Sequence, residues 1–367
     1  MASVHVVRPV APRTQADRVV VPDVARGFAI FAMLVAHAVP LLPQVPGAVR
    51  FLERQLNDVA SPLFACVMGM ATAIVLAKTR LDPHGVRAVI VQNVIRGCIL
   101  VVLGVWLQTW GSWIAIILSF LGIVLAVGTP LLLLPTKALV AVIAVVVVAG
   151  APLNAFVTGV VEPTMALPGS LGATFLDWVF LNPHYRVTNL LPWFLFGAVV
   201  FRIGFSSRRL AWTMLILAPL AWGGDFLIRR LWSVQRGPSG SYLDTLHDTG
   251  LVLGALAVIM LLATVRAEAP ARFIRDVFVP FRAIGTVALS LYVLQVAIVA
   301  WLAKSGTLVF SENNYSAWIL IVLAVPGAGI LWWRFVGKGP IEWVIGFLSG
   351  RYRVSRSPRP ERSSTPA

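Results

Sequence analysis

Residues 23–37 read DVARGFAIFAMLVAH, and the apolar run continues to Leu42. After Arg26 the next fully charged side chain is Arg50. A run of this length, about 20 residues, spans the hydrocarbon core of a bilayer as a helix. At about 100° per residue, Arg26 and His37 lie within about 20° of each other and roughly 16 Å apart along the axis. Met33 and Ile30 complete that stripe, and Gly27, Ala29, Ala32 and Ala36 let neighbouring helices or a ligand approach closely. A cation therefore sits at one mouth of the helix, with an imidazole deep on the same face.

The same pattern recurs along the chain. Apolar helices are predicted at about 24–42, 58–77, 89–108, 112–131, 138–157, 187–204, 209–229, 248–265, 281–303 and 316–336. Ser61-Pro62 reads as an N-cap with proline in the first turn, and Asn57-Asp58 before it as capping residues. Gly111-Ser112 separates the third and fourth spans, and Pro152 sits near the end of the fifth. The expected fold class is all-α, a polytopic integral membrane protein with about ten transmembrane helices.

Composition agrees. Of 367 residues, 58% are hydrophobic and 12% charged, against about 25% charged in soluble domains. Mean hydropathy is +0.85. A soluble core cannot absorb so much apolar surface. The net charge of +15 does not point to nucleic acid, because the charges sit in short clusters between apolar runs. With the N-terminus inside, inner segments hold 23 Lys and Arg and outer segments 7. That bias predicts both termini in the cytoplasm of a multi-pass protein of the inner (plasma) membrane. The longest outer loops then run from about 158 to 186 and from about 230 to 247.

The expected organisation is a cytoplasmic polar tail over 1–21, a single transmembrane domain over 22–350, and a disordered basic tail over 351–367. Within the domain, 341–349 reads as a short amphipathic helix with Trp343 at the interface. The polar N-terminal stretch lacks an apolar core and a small-residue cleavage site, so no cleaved signal peptide is expected. Cys66 and Cys98 lie in apolar runs and read as small core residues. No metal motif is visible and no bound cofactor is expected.

Intramembrane polar residues are the functional candidates. His37 is a base in a functional site or a hydrogen-bonding partner for a neighbouring helix. Asp23 and Arg26 form a ligand-facing pair or an interfacial ion pair. Arg96 snorkels to headgroups or binds a ligand phosphate. His184 and His247 map to outer loops near Asp177, Asp244 and Asp248, where a hydrated surface is the simpler reading for each alone. Asp225 and Arg229 are spaced to pair on one helix face. Tyr292 and Gln295 share a face and read as intramembrane polar contacts.

The stretch Asp23-Val-Ala-Arg26-Gly27-Phe-Ala resembles the first-helix signature, Asp-x-x-Arg-Gly-x-Ala, of two related groups of membrane acyltransferases. One is the acyltransferase-3 family. The other is the heparan-α-glucosaminide N-acetyltransferase-like group with its YeiB-like bacterial branch. Ser61-Pro62-Leu63-Phe64 with Gly69, Leu191-Pro192-Trp193-Phe194 with Gly197 and Arg202, and Ile284-Gly285 through Tyr292 to Gln295 resemble further motifs of the second group. Gly339-Pro340-Ile341-Glu342-Trp343 resembles the C-terminal motif of the YeiB-like branch. Together they span roughly 22–345. In acyltransferase-3 proteins the first-helix signature ends on a catalytic histidine, and His37 falls at that spacing. The animal enzymes of the second group instead carry theirs in the loop after the first helix. Here that loop, about 43–57, has none.

The resemblance implies transfer of an acyl group, acetyl in the first instance, from cytoplasmic acyl-CoA. The implied acceptor is extracytoplasmic, a sugar, a cell-envelope glycan or a lipid-linked group. His37 is then the catalytic candidate, with Asp23, Arg26 and Arg96 on the donor side and Asp58, His184, Trp193 and His247 on the acceptor side. The competing expectation is a transporter or lipid flippase using the same polar path, although no inverted repeat is detectable. A non-catalytic membrane scaffold is the third.

Overall fold

The computed structural model describes residues 17–79, 82–161, 170–235, 237–306, 308 and 310–350. The predicted tail over 351–367 and residues 1–16 of the predicted N-terminal tail lie outside these residues. Among the described residues the regular structure is all helical, with no strand: α1 (Asp17–Ala38), α2 (Gly47–Thr79), α3 (Pro83–Gln108), α4 (Leu118–Leu131), α5 (Thr136–Val161), α6 (Leu171–Leu176), α7 (Val187–Ile203) and α8 (Arg208–Trp232) come first. Then follow α9 (Tyr242–Ala263), α10 (Glu268–Thr286), α11 (Ala288–Ser305), α12 (Tyr315–Ile319), α13 (Val325–Phe335) and α14 (Pro340–Leu348). Single π turns extend α6 over Asp177–Leu181 and join α12 to α13 over Leu320–Ala324.

Eight of the described helices are long and apolar enough to cross a membrane. That makes the chain a multi-pass membrane protein. The two other predicted spans contain shorter helices. α4 has 14 residues and α7 has 17, against the roughly 20 a full crossing takes. Residues 112–117 precede the helix at 118 and are not helical.

Two further elements depart from expectation. α2 begins at Gly47, three turns earlier than the apolar run. The loop expected over about 43–57 is helical from Gly47 on: Arg50, Glu53, Arg54 and Gln55 are polar, yet such side chains sustain a helix well. Arg50 ties that extension down, donating to the carbonyls of Leu42 (2.6 Å) and Pro43 (3.0 Å). Asn57, Asp58 and Ser61-Pro62 are consequently mid-helix and cap nothing. Likewise the predicted span 281–303 is two helices, broken at Val287, where φ is −114° and ψ is 22°.

The Glu342 carboxylate fills that break. Oε1 accepts from the backbone N–H of Leu289 (2.6 Å) and Ser290 (3.2 Å), and Oε2 bonds the Ser290 hydroxyl. The exposed N–H groups at the start of α11 thus receive an anion from α14. This is what the 339–343 motif does in the fold.

Close helix crossings are built on glycine. A Cβ on Gly27 would lie 1.8 Å from the Phe281 carbonyl oxygen, and one on Gly285 2.4 Å from that of Asp23, so α1 and α10 touch backbone to backbone. Gly69 and Gly197 do the same reciprocally for α2 and α7. Such contacts substitute for a hydrophobic driving force that lipid does not supply.

Candidate functional site

α1 runs from a near end, marked by Asp23, to a far end, marked by His37. His37 lines a narrow cleft with Asn57 and Ser61 of α2, Tyr185, and Tyr292 of α11. The cleft measures about 30 Å³, room for a water molecule before any side chain moves. Indole Nε1 of Trp113 donates to the His37 carbonyl at 3.1 Å and fixes the end of α1. The backbone N–H of Ile117 donates to the Tyr292 hydroxyl at 3.3 Å, which orients the phenol across the cleft. The irregular stretch before α4 therefore supplies both anchors.

The Gln295 carboxamide stands beside the His37 ring, its Nε2 3.5 Å from the Leu34 carbonyl. Buried His37 Nδ1 and Gln295 Oε1 have no hydrogen-bond partner. An interhelical hydrogen bond that fully satisfies His37 is thus not what the structure shows. Outside the spanning helices, burial pushes the Tyr185 phenol up to about 12, so it remains a neutral donor. Burial also lowers the neighbouring Arg186, against the opposing pull of Asp244 and Asp177.

A second constellation adjoins the cleft. His247 is buried on the second turn of α9, in the helix and not in a hydrated loop. Its Nδ1 lies 3.0 Å from Asp225 Oδ2 and its Nε2 3.4 Å from Asp58 Oδ2. Arg229 holds Asp225 bidentately, at 2.9 and 2.6 Å. Asn57 Nδ2 donates to Asp58 Oδ1 at 3.0 Å. Asn57 therefore touches both groups: its neighbour Asp58 faces His247, and Asn57 itself lines the His37 cleft.

The other expected residues are dispersed. Asp23 and Arg26 pair at 3.7 Å at the near end of α1, with Arg282 close to the carboxylate. Arg96 is half-buried on α3, which packs chiefly on α4, away from the α1–α10 contact that holds Arg26. His184 is an exposed turn residue whose backbone N–H donates to Asn182. Trp193 lines a separate cavity. Of the four acceptor-side candidates only Asp58 and His247 meet. Asn57, Ser61 and Asp225 were legible as polar groups near apolar runs, but the early start of α2 was needed to bring the first two into the cleft. Among the described residues no group of ligands for a metal occurs.

The family of the heparan-alpha-glucosaminide N-acetyltransferase catalytic domain matches residues 18–225. The chain belongs to this family. A family described as protein of unknown function (DUF418) matches residues 196–348, the part that carries α8 to α14. No curated protein and no solved structure matches. Membership indicates a membrane acetyltransferase type of activity, and the matched segment holds His37, Asn57, Asp58 and Asp225.

Proposed function

We propose that this protein transfers an acetyl group from cytoplasmic acetyl-CoA to a hydroxyl or amine of an acceptor on the outer side of the plasma membrane, a sugar or envelope glycan. The observation that carries the reading is the His37 imidazole, set inside the bundle on a mostly apolar cleft that Asn57, Ser61, Tyr185 and Tyr292 also line, with its Nδ1 lacking a hydrogen-bond partner. His37 takes the acceptor's proton as its oxygen or nitrogen attacks the thioester carbonyl. The tetrahedral intermediate collapses, the C–S bond breaks, and the thiolate leaves with the proton from His37. Tyr292 and Ser61 line the same cleft and are placed to donate to the developing oxyanion. The wall must give to admit an acyl group, and Met33, unbranched and adaptable, lies on it.

His247 is the weaker candidate for base, since both of its ring nitrogens face carboxylates. On the donor side, Arg26 sits at the mouth that the charge bias places inside, where a guanidinium suits an anionic CoA. Calorimetry on the purified chain tests this. Acetyl-CoA binds, and Arg26→Ala weakens binding more than Arg362→Ala in the C-terminal tail. Absence of binding to any common acyl-CoA would remove the reading.

A further inference from the structure

A second cavity, of about 220 Å³, lies between α5, α7 and α9. It exceeds an engineered apolar cavity of about 150 Å³ that admits benzene. One face of α5 forms its floor, Ile143, Val146, Val147, Gly150, Ala151 and Asn154, at helical spacing. The opposite face of α5 carries Val145 and Val148, each 64% exposed, so the helix separates the cavity from lipid by a single layer. Polarity is graded along the cavity. Asn154, Thr188, Asn189 and Gly240 gather at the far end of the bundle, whereas Ile143, Phe196 and Leu253 lie deeper and are apolar.

One polar atom there is unused. Asn154 is 1% exposed and accepts from the Thr188 hydroxyl at 3.0 Å, but its Nδ2 has no partner. An unpaired buried amide N–H is unfavourable, and a ligand oxygen at that point would satisfy it. A sugar does not fit, because the apolar walls would strip its hydroxyls of water without replacing the hydrogen bonds. A hydrocarbon chain with one carbonyl at its root does.

We propose that this cavity binds one acyl chain of a membrane glycerolipid, the ester carbonyl accepting from Asn154 Nδ2 and the headgroup emerging at the far end. The headgroup then lies over the segment Tyr185–Asn189, which walls this cavity at Thr188 and Asn189 and the His37 cleft at Tyr185. The site goes beyond the acyl-transfer reading, and its test does not depend on turnover.

The full chain, purified in detergent, is photolabelled with phosphatidylglycerol carrying a diazirine on one acyl chain, and the labelled peptides are mapped. Labelling is expected to saturate and to concentrate in 143–154 and 188–196. Gly150→Phe directs a ring into the cavity from a position where the added Cβ meets only Thr188 Cβ at 4.0 Å, and should abolish labelling of those peptides while leaving lipid-facing α3 labelled. Gly150→Ala should leave it unchanged. Asn154→Leu keeps the volume but removes the donor, and should weaken labelling about 2- to 10-fold. Unlabelled phosphatidylglycerol should compete and glycerophosphoglycerol should not. Labelling insensitive to Gly150→Phe would overturn the proposal. So would competition by palmitoyl-CoA at far lower concentration than by phosphatidylglycerol, which would assign the chain to a thioester.

Discussion

At the residue scale, the two intramembrane histidines differ in what their ring nitrogens meet. His247 is held between Asp58 and Asp225, and Asp225 is completely buried and clamped by Arg229. Removing one member of such a network leaves buried charge uncompensated, at about 3–5 kcal/mol. Asp225→Asn should therefore lower the thermal midpoint of the detergent-solubilised protein by several degrees. An unchanged midpoint would show that the network contributes no stability. Asp225 and Arg229 were recognisable in the sequence from their four-residue spacing. That His247 joins them from α9 and Asp58 from α2 depends on tertiary packing that no local pattern encodes.

At the scale of the element, periodicity located most helices and failed where polar residues continue a helix or a helix breaks in apolar sequence. α2 extends three turns into residues rich in Arg, Gln and Asn, which hydropathy reads as loop. The α10–α11 break at Val287 falls inside an apolar run, and its cause, Glu342, lies 55 residues on in sequence. Removing the charge with Glu342→Gln should cost about 1 kcal/mol and be visible as a lower unfolding midpoint, with no change expected for Glu312→Gln on an exposed turn. The glycine crossings supply a sharper contrast. Gly69→Val forces a branched side chain onto the Phe194 carbonyl and should abolish recovery of monodisperse protein, whereas Gly223→Ala meets nothing within 4 Å and should be recovered normally. Equal yields would mean that α2 and α7 do not cross as described.

For the whole molecule, class and membrane character follow from composition and hydropathy, and the described helices bear them out. Orientation rests on the excess of 23 basic residues over 7. Leu171, 91% exposed, and Gln235, also exposed, both lie at the far end. Single cysteines at either position, in a background lacking Cys66 and Cys98, should react with an impermeant thiol reagent on intact cells. Reaction only after lysis would invert the topology and, with it, the sides assigned to donor and acceptor.

Central to the proposed reaction is a base inside the bundle acting on a thioester. The most direct measurement follows release of CoA thiol from acetyl-CoA by the purified protein, reconstituted in liposomes and presented with amino and hydroxy sugars, for the wild-type chain and for His37→Asn. Asparagine keeps a hydrogen-bonding side chain but cannot take the proton. Acceptor-dependent release is expected, falling about 10²- to 10⁴-fold in His37→Asn, with acetyl-CoA binding retained. Turnover by His37→Asn at the wild-type rate would contradict it.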